Sequence, residues 1–136
     1  MINKFKYLLF LIVIVSINPS LLVANDVFEF NVTNIEIEEN GNIFKGYNGG
    51  EAFTSDVFIK AKNFEYNKKL NLLVSDGDVK LQDKKKNIII IADKISYSKD
   101  KEIITAYGNT KIQDIDRKII IIADKISYSK DKEIIT

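Results

Sequence analysis

The chain has 136 residues, 20 Lys and Arg against 19 Asp and Glu, 46% hydrophobic residues, and no cysteine, histidine or tryptophan. Without cysteine there is no disulfide framework and no thiolate nucleophile, and without histidine the commonest general base and metal ligand is missing. These absences argue against an enzyme, and a near-neutral chain with interspersed charges lacks the basic face that nucleic-acid binding needs.

Residues 1–24 read as a secretory signal peptide. Lys4 and Lys6 give a positive start, residues 7–15 are an unbroken apolar run, Asn18-Pro19-Ser20 breaks it, and Leu22-Val23-Ala24 offers a small residue before a cut. The run is too short and too quickly broken for a membrane span. Cleavage after Ala24 leaves 18 basic against 19 acidic residues, a net charge of −1, on an exported domain over 25–136.

The exported part reads as β throughout. Val27-Phe28-Glu29-Phe30-Asn31-Val32 and Ile35-Glu36-Ile37-Glu38 alternate with period two, the mark of half-buried strands. Glu39-Asn40-Gly41-Asn42 is a turn, with Asn-Gly supplying positive φ, and Ile43-Phe44-Lys45-Gly46-Tyr47 is the returning strand. Asn48-Gly49-Gly50 is expected to turn the chain again. Beyond it the sequence repeats. Residues 88–105 return unchanged at 119–136, an offset of 31 residues. A weaker copy precedes them, marked by Ala61, Ala92 and Ala123 and by Tyr66, Tyr97 and Tyr128. A fixed period of this length means one supersecondary unit stacked on copies of itself.

Within each unit Val57, Ile59 and Ala61 share a parity, as do Ile88, Ile90 and Ala92; the apolar positions then jump by three to Phe64 and Tyr66, and to Ile95 and Tyr97. Side chains alternate strictly along a regular strand, so each jump requires a bulge or corner, at Lys62-Asn63 and at Asp93-Lys94. Charged turns follow at Asn67-Lys68-Lys69 and Ser98-Lys99-Asp100-Lys101, with return strands from Leu70 and Glu102, and Gly77 and Gly108 mark the next bends. Three or four short strands per unit are expected, forming two sheets over a shared apolar interior. With no helical crossovers, a parallel α/β architecture is excluded. The apolar run 88–91 is a buried core strand, flanked by Lys84-Lys85-Lys86 and Asp93-Lys94 as guards against aggregation.

No catalytic constellation emerges. Asp76-Gly77-Asp78 lacks the other ligands of a calcium loop and reads as a β-turn. Gly46-Tyr47-Asn48-Gly49-Gly50 has no following helix to hold a phosphate. Glu36, Glu38 and Glu39 read as a solvated face, the Asn31-Val32-Thr33 sequon carries no weight, and the recurring tyrosines are expected to form a ladder of stacked rings.

The pattern Ile59-x-Ala61-x-x-Phe64-x-Tyr66, Asn71-x-Leu73, Ser75-Asp76-Gly77-Asp78-Val79-Lys80-Leu81, with its echo Ala92-Asp93-Lys94-Ile95-x-Tyr97 and Tyr107-Gly108-Asn109-Thr110, resembles the OstA-like repeat of the lipopolysaccharide transport proteins. That family includes the periplasmic bridge LptA and the N-terminal domain of the outer-membrane assembly protein LptD. The lead-in Phe28-Glu29-Phe30, Asn34-Ile35-Glu36-Ile37 and Gly49-Gly50-Glu51-Ala52 resembles LptD N-terminal regions slightly more.

The resemblance implies a twisted β-jellyroll of two antiparallel sheets whose apolar groove carries lipid A acyl chains. It places the protein in the periplasm, associated with the outer membrane, without cofactor or enzyme activity. Its partners are then lipopolysaccharide and other Lpt-type β-jellyroll domains joined by edge-strand augmentation. An LptD-like chain would reach the outer membrane through a barrel outside this sequence, so the sequence is expected to be a fragment. The candidate inward-facing groove residues are Ile59, Ala61, Phe64, Tyr66, Leu72, Val74, Ile88, Ile90, Ala92, Ile95, Tyr97, Ile103 and Ile112. The alternatives are a stand-alone LptA-like bridge and a structural β-solenoid that self-associates without lipid.

Overall fold

The computed structural model of the chain describes residues 27–136; the expected signal peptide lies outside them. The strands are β1 (Glu29–Glu38), β2 (Ile43–Phe53), β3 (Val57–Ala61), β4 (Asn63–Asn67), β5 (Leu72–Asp83), β6 (Ile88–Ser98), β7 (Ile103–Asp114), β8 (Ile119–Ser129) and β9 (Ile134–Ile135). All pairings are antiparallel, in the order β1-β2-β3-β5-β6-β7-β8-β9, with β4 beside β3 between β2 and β5. Asn40 and Gly41, both at positive φ, close the β1–β2 connection through one 3₁₀ turn, Glu39–Gly41.

The repeat shows in the register. Leu73 faces Tyr97 across β5–β6, and Ile104 faces Tyr128 across β7–β8, so the second copy takes the same place in the sheet as the first. Turns hang on one another at the same interval: the amides of Lys68, Lys99 and Lys130 donate to the carbonyls of Asn42, Asn71 and Glu102 at 2.9, 3.0 and 2.9 Å. Asp83 accepts from the Lys86 amide and Asp114 from the Arg117 amide, which fixes the two long hairpin turns in the same way.

The expected phase slips are present as a line of corners. Registers shift between Asp76 and Val79, Ile91 and Lys94, and Tyr107 and Thr110, while Lys62 separates β3 from β4. Gly77 (φ 83°) and Asp78 (φ 48°) take left-handed backbone at the β5 corner, which is where a residue without Cβ is needed. One continuous sheet therefore folds over itself. The first layer holds β4 and segments 34–38, 43–47, 72–76, 94–98, 103–107 and 125–129. The second holds β3 and segments 29–32, 50–53, 79–83, 88–91, 110–114 and 119–122.

Three expectations change. Asn48 and Gly49 do take positive φ (62° and 87°), but as a corner inside the unbroken strand β2 rather than a turn. Apart from the short strands β3 and β4, the units supply long bent strands instead of three or four short ones, because the ladders keep their hydrogen bonding on both sides of each corner. The two sheets are halves of one hydrogen-bonded sheet. Gly50 explains how β1 fits: a Cβ there would lie 2.5 Å from the Asn31 carbonyl oxygen and 2.7 Å from Val32 Cα. Bare backbone lets the strands approach where β1 shifts register between Val32 and Asn34.

Candidate functional site

The inner faces of the two layers meet in a dry core. Ile59, Ala61, Phe64, Tyr66, Ile88, Ile90, Ala92, Ile95, Tyr97 and Ile112 all lie in it, joined by Val57, Leu73, Val79, Leu81, Ile104, Ala106, Ile126 and Tyr128. Leu72, Val74 and Ile103 do not. Leu73 pairs with Tyr66 and Ile104 with Tyr97, and directly opposed residues share a face. Leu72, Val74 and Ile103 are therefore half-buried on the outer face, while Leu73, Ser75 and Ile104 point inward.

The tyrosines do not make a stacked ladder, since β4, β6 and β8 are separated by intervening strands, about 9.5 Å per step. Phe28 bridges two of them instead, edge-on to Tyr66 (5.2 Å) and Tyr97 (5.7 Å), while Phe30 crosses the interior to stack on Phe44 at 4.1 Å. The Tyr66 hydroxyl donates to Asn71 Oδ1 at 2.8 Å.

Opposite the corner line, the turns of the two layers face each other across a seam. Lys130 closes it. Its side chain is 7% exposed, and Nζ lies 2.8 Å from Asp56 Oδ2 in the second layer, 3.4 Å from Glu102 Oε2 and 3.9 Å from Asp83 Oδ2. The same ammonium sits over the Tyr97 ring and donates to its hydroxyl at 3.4 Å. Lys86 and Glu133 form a second ion pair across the seam.

Burial alone would push Lys130 down, but the Asp56 hydrogen bond and the facing Tyr97 and Asp83 groups hold it above the ordinary lysine value. Burial would raise Asp56; its bond to Lys130, with help from Thr54, holds it below the usual carboxylate range. Burial drives the Tyr97 hydroxyl upward, and burial with the Asp83 carboxylate pushes Tyr128 up to about 12. The Tyr97 hydroxyl donates to Glu102 Oε2 at 3.3 Å, whereas the Tyr128 hydroxyl and Asp83 Oδ2 have no hydrogen-bond partner.

Two clefts flank the clasp. One, about 310 Å³, runs between Asp56, Lys85, Lys86, Glu102, Lys130 and Asp131. The other, about 410 Å³, has a rim of Lys85, Lys86, Asp116, Arg117 and Glu133 and reaches Ile88, Tyr128 and the buried carboxylate of Asp114.

The stack is also uncovered at both ends, on opposite layers. At the β1 end, Ile35 and Ile37 pair with Gly46 and Phe44, so they lie on the inner face of the first layer, yet they are 58% and 64% exposed. At the β8 end, Ile119, Ile121 and Ala123 pair with Asp114, Ile112 and Thr110 on the inner face of the second layer, and Ile119 is 43% exposed although its counterpart Ile88 is 1% exposed. Each end thus carries an apolar overhang. The lysine clasp and the overhangs escaped sequence reasoning, because the exact repeat gives Lys99 and Lys130 the same neighbours along the chain, and Ile88 and Ile119 the same residues after them. Among the described residues no group of three His, Cys, Asp or Glu could hold a metal ion.

Bent strands, a line of corners and an opposing seam define the class: an all-β, LptA-like β-jellyroll. The chain is similar to the crystal structure of LptH, the LptA homologous periplasmic component of the conserved lipopolysaccharide transport device from Pseudomonas aeruginosa, with a TM-score of 0.75 and 11% identity over 82% of this chain and 81% of that one. No protein-family model matches the sequence. No curated protein matches it either.

Proposed function

We infer that the chain is a periplasmic lipopolysaccharide-transport module that shields lipid A acyl chains between its two layers. The observation that carries this reading is the LptA-like jellyroll whose apolar interior is left open at both ends, at Ile35 and Ile37 and at Ile119. Burying one methylene stabilises by about 0.8 kcal/mol, so a lipid with several acyl chains needs an apolar path through water. Like modules joined edge to edge, β1 against β8, would cover both overhangs and extend the interior. The lead-in motifs favour the N-terminal domain of an LptD-like protein at the outer membrane over a stand-alone bridge. Export by the 1–24 signal peptide belongs to the same reading. Because the middle of the interior is filled by the chain's own side chains, acyl chains enter where the seam parts, beginning at the cleft that reaches Ile88 and Tyr128.

The filled interior also favours a second reading, a self-associating structural domain that carries no lipid. Photo-cross-linking in the periplasm separates the two. A photoreactive phenylalanine analogue at Phe64, Ile90 or Tyr97, all buried, is expected to form lipopolysaccharide adducts, and one at the exposed Lys68 is not. Absence of adducts at every inward site in folded, exported protein would establish the structural reading.

A further inference from the structure

The outer face of the second layer combines lysines with exposed isoleucines. Cross-strand pairing lines up two rows on the outside of the second layer. One runs Phe58, Gln82, Ile89, Gln113, Ile120, and the other runs Lys60, Lys80, Ile91, Lys111, Ile122. From β3 to β8 these rows hold three lysines and no acid; on β2 and β1 they continue through Phe53 and Glu29 and through Glu51 and Asn31, so acids stand only at the β1–β2 end. The lysines enter no ion pair among the described residues. Ile91, Ile120 and Ile122 are 45%, 54% and 75% exposed, an unusual outlay of branched aliphatic surface on a sheet that already buries its other face. Lys84 extends the patch from the neighbouring turn, its ammonium 6.0 Å from the Phe58 ring centre. The first layer's outer face carries Ser96, Thr105 and Ser127 in one row, Ser98, Ile103 and Ser129 in another, and Asp76, Lys94, Tyr107 and Lys125 in a third, so its lysines stand beside an acid and a tyrosine, not among isoleucines.

We propose that the outer face of the second layer is a docking surface for an anionic lipid bilayer. Lysines interleaved with exposed isoleucines on one face of the sheet match a headgroup layer. The ammonium groups meet lipid phosphates, and the short aliphatic side chains enter the acyl boundary without crossing it. Unpaired lysines repel a second copy of the same face, and a nucleic acid would leave the isoleucines in water. The surface acts independently of what the interior carries, since it lies on the other side of the sheet.

Sedimentation of protein purified from the periplasm with phosphatidylcholine vesicles, with and without about 30% phosphatidylglycerol, tests this directly. Partition is expected only with the anionic vesicles and should fall as salt rises. Each lysine removed should lower it about fivefold, so the combined Lys60→Gln, Lys80→Gln, Lys111→Gln variant should lose about 100-fold. Ile122→Ser should weaken it at constant charge. Changing Lys68, Lys69 and Lys94, exposed on the first layer and its turn, to glutamine should leave it intact. Equal binding to neutral vesicles, or equal loss in both triple variants, would overturn the proposal. So would binding of a DNA duplex by a protein that ignores vesicles.

Discussion

Lys130→Met should destabilise the fold by about 3 kcal/mol or more, read as a fall in the urea midpoint with an unchanged slope. The lysine side chain is 7% exposed and the Asp83 side chain 0%, so removing the cation leaves a carboxylate buried with one oxygen already short of a hydrogen bond. The loss is therefore of the kind that follows from stranding a charge, not that of an exposed pair, which is worth about 0–1 kcal/mol. Lys68→Met, at the equivalent but exposed position, should change stability by less than about 0.5 kcal/mol.

The pH dependence has a definite sign. Lys130 is held above its ordinary 10.5, so its contribution is complete below that value and is lost only as pH rises through the higher folded value. Asp56 is held below its ordinary 3.8, so its contribution is complete above that value and is lost as pH falls through the depressed one. The stability gap between parent and Lys130→Met should accordingly be flat from about pH 5 to pH 9 and narrow in stronger acid. A gap that narrows around neutrality would remove the clasp from the explanation.

Gly50→Ala should cost about 3 kcal/mol, the upper end of what overpacking does, because the atoms in the way are backbone and cannot rotate aside. The new Cβ would meet the Asn31 carbonyl oxygen at 2.5 Å and Val32 Cα at 2.7 Å, forcing β1 off β2. Phe28 and Phe30 belong to that strand and the residue before it, and they fill the interior against Tyr66, Tyr97 and Phe44, so displacing β1 loosens both layers together. Gly49→Ala is the contrast. Nothing lies within 4 Å of its Cβ, and the cost is that of a left-handed backbone alone (φ +87°), about 1–2 kcal/mol. Thermal unfolding of the two variants side by side should rank Gly50→Ala as clearly the worse.

The sequence spoke clearly wherever apolar spacing was unambiguous. The three-residue step from Ala61 to Phe64, and from Ala92 to Ile95, located the corner line because strict alternation allows no other solution. It spoke poorly where apolar residues occupy both parities. In Leu72-Leu73-Val74 and Ile103-Ile104 either register satisfies the pattern, and the choice is made by the facing strand, where Tyr66 and Tyr97 claim Leu73 and Ile104. The exact repeat marks the limit of such reading. Ile88 and Ile119 each open the same eighteen-residue stretch, yet one is sealed and the other open, because neighbouring strands decide burial. Lys130 draws Asp56 from 74 positions away, which no local motif announces.

The absence of cysteine makes one measurement unusually direct. Spin labels on cysteines introduced at Lys85 and Lys132, exposed turn residues on opposite sides of the seam, report the gap between the layers by electron–electron resonance. If acyl chains enter by parting the seam, saturating lipopolysaccharide should lengthen that distance by roughly half of the ~10 Å that separates stacked sheets. A distance that stays the same at saturation would contradict a lipid path between the layers.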